Sequence, residues 1–113
     1  MIRNGRPYSN ENGYIDDGLI TDKTREIQKT VYDWIAHNIV PRNTPNRWHS
    51  SYGLKHIFQS DTGIYLTNNE FKDAMLRCGF QPVDPAELNW TYCISQRSPA
   101  FDWKGRPRHP RLK

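Results

Sequence analysis

Residues 65–80 read Y-L-T-N-N-E-F-K-D-A-M-L-R-C-G-F, and both ends of a helix are written into them. Thr67 and Glu70 form a T-x-x-E capping box. The threonine side chain accepts from the Glu70 N–H, and the Glu70 side chain reaches back to the Thr67 N–H. Leu66 and Phe71 occupy the two positions of a hydrophobic staple. Gly79 stands where a left-handed residue ends a helix, and Phe80 can fold back on Met75. The sequence therefore predicts a short helix from Asn68 to Arg77. Its apolar side carries Phe71 and Met75. Asn68, Asn69, Lys72, Asp73 and Arg77 make up a polar side expected to face outward.

Upstream, Ile27, Val31, Ile35 and Ile39 recur at four-residue spacing, widened by Tyr32 and Trp34. That period predicts a first helix over 24–39, capped by Thr21 or Asp22 and stopped before Pro41. Arg42–His49 (R-N-T-P-N-R-W-H) reads as a loop with no acid. Ser50 or Ser51 caps a second helix from Tyr52 to about Asp61, ended by Gly63, with Leu54, Ile57 and Phe58 on its apolar side. Ile64–Leu66 has room for one short strand. Downstream, Trp90, Tyr92 and Ile94 alternate with Thr91, Cys93 and Ser95, as a half-buried strand does. With Phe80–Val83 this run predicts a C-terminal β-hairpin. The expected core gathers Ile27, Val31, Ile35, Leu54, Ile57, Phe58, Phe71, Met75, Trp90 and Tyr92.

The flanks have a different composition. Residues 1–20 are rich in Asn, Gly and Asp without periodicity, and read as a loosely ordered arm. Residues 21–97 hold the folded domain. Residues 98–113 are rich in Pro and Arg and read as an extended basic tail. The net charge of +4 is uneven: the last ten residues carry five basic groups and no acid, leaving eleven basic and twelve acidic residues before them. The folded body is not basic overall, so any nucleic-acid surface must be local. Two cysteines, Cys78 and Cys93, suit neither a disulfide framework nor a C-x-x-C motif and are expected reduced. No apolar run suggests a secretion signal or a membrane span, and a cytoplasmic location is expected.

Helix, helix, short strand, helix, hairpin is the winged-helix order, and here the chain resembles the winged helix-turn-helix family, including small winged modules on phage and plasmid primase-helicases. S-S-Y-G-L-K-H-I-F together with Y-L-T-N-N-E-F-K-D-A-M-L-R-C-G-F also looks like small proteins of phages and integrating elements. The resemblance covers less than half of the chain. It implies an α+β fold of three helices, a short strand and a C-terminal β-hairpin, with the third helix as a recognition helix.

On that footing Asn68, Asn69, Lys72 and Arg77 are candidate base and phosphate contacts, since Asn suits adenine edges and Arg guanine edges. A solvated polar helix face is the alternative. Arg42, Arg47 and Lys55 are candidate phosphate contacts that orient without reading sequence, against a solvated loop with Trp48 packed inward. In the tail, Lys104, Arg106 and Arg108 alternate with Pro beside Trp103. They could follow a single strand or merely solubilise the end. His37, His49, His56, His109 and the cysteines lack zinc spacing, so no metal or cofactor is expected. No nucleophile elbow, phosphate-binding glycine loop or H-E-x-x-H motif is present. The expected function is non-enzymatic binding of DNA or a nucleoprotein complex in a phage or mobile-element setting. The alternative is an inhibitor of a host defence protein, of the anti-CRISPR kind, and a small enzyme ranks third.

Overall fold

The computed structural model describes residues 1–102. It is an α+β fold of three α-helices and three two-stranded antiparallel sheets. In chain order the elements are β1 (Ile2–Arg3), β2 (Arg6–Pro7), β3 (Ser9–Glu11), β4 (Tyr14–Asp16), α1 (Arg25–Asn38), β5 (Pro41–Ser50), α2 (Ser51–Thr62), α3 (Asn68–Arg77) and β6 (Thr91–Ile94). Single 3-10 turns sit at Ile20–Asp22 and Pro99–Phe101.

The third helix has the expected bounds. Thr67 Oγ1 accepts from the Glu70 N–H at 3.1 Å, and Glu70 Oε1 accepts from the Thr67 N–H at 2.9 Å. Gly79 has φ +94°, and the Phe80 N–H bonds the Met75 carbonyl at 2.9 Å, closing a Schellman motif. The first helix is capped by Thr24, one turn later than Thr21 or Asp22. Ser50 caps the second, which ends at left-handed Gly63.

Between the helices lies a core of Val31, Ile35, Leu54, Phe58, Phe71, Met75, Trp90 and Tyr92, joined by Ile20, Trp34 and Leu66. Ile27 and Ile57, also expected inside, are only partly buried against it. Trp34 and Phe58 meet edge-to-face at 5.4 Å, and Phe71 completes a three-ring cluster with centroids 6.4 Å from each.

Four expectations are corrected. First, residues 1–16 are not a loose arm. They form two hairpins, β1–β2 and β3–β4, turning at Asn4-Gly5 and Asn12-Gly13, where all four residues have positive φ. Asn-Gly is the favoured pair for such turns, because asparagine tolerates the left-handed region and glycine adopts it without a steric cost.

Second, no strand forms at Ile64–Leu66. Third, the expected C-terminal hairpin does not form: Phe80–Val83 sends one backbone bond to the 90–95 run, Val83 N–H to the Thr91 carbonyl, and β6 pairs instead with β5. The stretch read as the loop Arg42–His49 is that strand. Fourth, the chain does not leave the body at Ser98. The Ser98 hydroxyl accepts from the Val40 N–H, Ala100 is buried, and the Phe101 ring stacks on His49 at 3.7 Å. Lys104, Arg106, Arg108 and Trp103 lie outside the described residues.

Candidate functional site

The polar side of α3 is covered, contrary to expectation. Asn69, Lys72 and Asp73 are fully buried beneath the N-terminal hairpins. Asn69 donates through Nδ2 to the carbonyls of Pro7 (2.9 Å) and Gly18 (2.8 Å), and its Oδ1 accepts from Ser9 Oγ at 2.9 Å. Lys72 Nζ donates to Ser9 Oγ (2.8 Å) and the Leu88 carbonyl (2.9 Å), and lies 4.6 Å from the centre of the Trp90 ring. Asp73 accepts from Arg6, Arg77 and the Ile20 N–H at 2.7–3.0 Å. Asn68 is held by Ser51 and Asn89.

The helix N-terminus, an anion site in principle, already has its anion. Asp16 accepts from the Asn69 N–H at 3.1 Å and from the Thr67 hydroxyl at 3.2 Å. Of the α3 candidates only Arg77 keeps a substantially exposed side chain, and it is paired with Asp73. The helix face that sequence pattern marks for a groove is an internal polar seam.

Lys72 has an electrostatic consequence. Burial pulls its ammonium down from 10.5 to about 8, with Asp16 opposing. Below pH 8 both folded and unfolded chains carry this proton, and the folded state bears the full cost of the buried charge. Above pH 8 the folded state releases its proton first, so that cost is relieved until about pH 10.5. Wild type should therefore gain on Lys72→Met by at most about 1.4 kcal/mol per pH unit from pH 8 upward. Urea unfolding of both proteins at pH 7, 8, 9 and 10 measures the difference. A stability of wild type relative to Lys72→Met that stays flat or falls as pH rises above 8 would refute this account.

Lys55 is likewise not on an open surface. It is 4% exposed, on α2, with its ammonium 5.2 Å from the Tyr52 ring centre and 4.8 Å from that of Tyr65. Burial lowers its pKa, with Asp16 opposing. It lines a cleft of about 440 Å³ between α2, the β3–β4 hairpin and the start of α3.

The surviving exposed candidates are on β5. This strand is pinned to β6 at Pro41↔Ile94, Asn46↔Tyr92 and Ser50↔Thr91. It advances five residues while β6 covers two, then four while β6 covers one, so the residues between the pins bulge outward. Asn46 is the buried central pin, donating to the Ile94 carbonyl and to Gln96. The first bulge is braced from within by Arg42, whose guanidinium donates to the carbonyls of Thr44 and Pro45. The second presents Arg47 and Trp48. Trp48 is 83% exposed rather than packed inward, and Arg47 makes no hydrogen bond or ion pair among the described residues. The bulge is anchored by His49, whose ring lies flat on Phe101 and whose pKa burial lowers.

Among the described residues, no group of three or more His, Cys, Asp or Glu is placed to hold a metal, and no helix is long and apolar enough to cross a membrane. No protein-family model, curated protein or solved structure matches this chain.

Proposed function

We propose that this protein binds nucleic acid, or a nucleoprotein complex, through the bulged strand β5 rather than through α3. The observation that carries this is the pair Arg47–Trp48: an exposed guanidinium with no partner among the described residues, beside a solvent-exposed indole, on a bulge of β5. From Trp34 to Ser60 the chain contains no acid to repel phosphate. An exposed indole offers a face on which a base can stack, and Arg supplies the phosphate contact. An unpaired base suits this geometry better than a duplex edge, so a single strand is the favoured form.

The order α1-β5-α2-α3-β6, with the strand before α2 paired to the strand after α3, supports reading the core as a winged-helix variant. The phage or mobile-element setting belongs to the same proposal. In this variant the helix that would enter a groove is capped off by the chain's own N-terminal hairpins.

Fluorescence anisotropy with a labelled single strand tests the proposal. Trp48→Ala should weaken binding by about 1–3 kcal/mol if one base stacks there. Arg47→Ala should reduce the slope of log K against log salt by about 0.7, the value for one phosphate contact on a single strand. An Arg47→Ala/Trp48→Ala variant that binds like wild type would exclude β5.

A second reading has its own observation. Trp48, Tyr14, Tyr52 and Tyr65 are all large exposed aromatics, and Trp, Tyr and Arg dominate protein-interface hot spots. A host protein as target, as for an anti-CRISPR-type inhibitor, fits that surface. It would be favoured if Trp48→Ala abolished partner capture while nucleic-acid affinity was negligible at every salt concentration.

A further inference from the structure

We propose that the cleft beside Lys55 is a binding site for a small carboxylate-bearing molecule, with the Lys55 ammonium as its anion contact and the Tyr52 and Tyr65 side chains beside it. This site uses no residue of β5 and does not depend on what β5 binds.

Three observations meet there. The cleft, about 440 Å³, is of a size that holds small ligands. Lys55 lines it, is nine-tenths buried, and has two tyrosine rings as neighbours but no hydrogen bond or ion pair among the described residues. An ammonium has three N–H donors, and an aromatic face offsets only part of the water it loses. The Lys55 stem is enclosed while its ammonium opens on the cleft, so its N–H donors face the space where a bound oxyanion can accept from them. By contrast the other buried lysine, Lys72, donates to two acceptors within the protein.

The surroundings select the anion. Asp16 lines the same cleft, but its carboxylate is engaged by the α3 N-terminus and the Thr67 hydroxyl. Glu11, at the exposed end of β3, adds a negative charge at the rim. With two carboxylates lining the same cleft as the one ammonium, a phosphate dianion is repelled more strongly than a monoanion. Tyr14, Tyr52 and Tyr65 on the walls favour a flat or branched apolar body behind the carboxylate. Asn89 and His56 complete the polar lining, with His56 fixed edge-on to Tyr52 at 4.5 Å.

Titration of the 15N-labelled full chain with sodium benzoate, at constant ionic strength, tests the proposal. Benzyl alcohol and inorganic phosphate serve as comparison probes. Benzoate should move the amides of Tyr52–His56 and Tyr65–Asn68 saturably. Benzyl alcohol should bind at least about ten-fold more weakly, the loss of one charge-assisted contact, and phosphate should not saturate. Lys55→Met should cost benzoate a similar factor. Tyr65 is largely exposed, so Tyr65→Leu should leave the fold intact and weaken benzoate several-fold. This second variant decides the matter if Lys55→Met fails to fold. Non-saturable benzoate shifts, equal affinity for the alcohol, unchanged affinity in both variants, or tighter binding of phosphate would each overturn the assignment.

Discussion

Phe71→Ala is expected to lower the unfolding free energy by about 3–5 kcal/mol, the larger of the two biggest stability effects this fold offers. Phe71 is fully buried. Its ring stands 6.4 Å from both Trp34 and Phe58, which themselves meet edge-to-face, so truncation opens a cavity at the junction of all three helices. It also removes the apolar partner of Leu66 in the staple that sets how the chain enters α3. The surrounding rings are tied elsewhere: Trp34 Nε1 donates to Asp61 at 2.9 Å, and that bond resists collapse into the void. Since small domains hold only about 5–15 kcal/mol in total, the melting temperature should fall by on the order of 15 °C. Chemical and thermal denaturation followed by circular dichroism measures both. A loss below about 1 kcal/mol would show that Phe71 is not a central core residue.

How much of this was legible in the sequence depends on the range of the interactions involved. The α3 box, staple and Schellman glycine act within a few residues of one another, so Thr67, Glu70 and Gly79 announce the helix without outside help. The apolar periods of α1 and α2 likewise mark Val31, Ile35, Leu54 and Phe58 as core. Periodicity distinguishes apolar from polar faces, but it does not say that a polar face is wet. Asn69, Lys72 and Asp73 are buried because Ser9, Pro7, Gly18 and Arg6, some fifty to sixty-seven residues earlier in the chain, bring matched donors and acceptors to them. Nothing local to α3 signals this.

A signal did exist in the arm itself. Asn4-Gly5 and Asn12-Gly13 are hairpin turns by composition, hidden by strands of only two or three residues that leave no readable alternation. β5 was illegible for a different reason. Two prolines and two bulges erase its period of two, and its partner β6 comes from the far side of α2 and α3. Of the site, the exposure of Arg47 follows from its place in an acid-free polar stretch, while the outward position of Trp48 and the enclosure of Lys55 by Tyr52 and Tyr65 are tertiary facts.

The covered α3 face has a mechanical consequence centred on Asp73. Its carboxylate is fully buried, yet it holds three separate parts of the chain: Arg6 of β2 at 2.7 Å, the Ile20 N–H at 3.0 Å, and Arg77 one turn along its own helix at 3.0 Å. Removing one partner of a buried charge network costs about 3–5 kcal/mol when the remaining charges stay buried. Here the Arg6 and Arg77 side chains are each about one-third exposed and can rehydrate, so Asp73→Ala should cost about 3 kcal/mol, toward the lower bound. The loss should be local before it is global. Among the described residues the Ile20 amide has no other acceptor, and β1–β2 is tied to α3 through Arg6 and through the Asn69 bond to Pro7. Hydrogen exchange should therefore accelerate first at Ile20 and across residues 2–9, with the α1–α2–α3 core still protected. Asp73→Asn keeps an acceptor for Ile20 while discarding the charge, and should retain much of that amide's protection. If Asp73→Ala left exchange at Ile20 and over residues 2–9 unchanged, the Asn69, Lys72 and Asp16 bonds would suffice to hold the N-terminal hairpins, and the Asp73 carboxylate would not be what fastens them to α3.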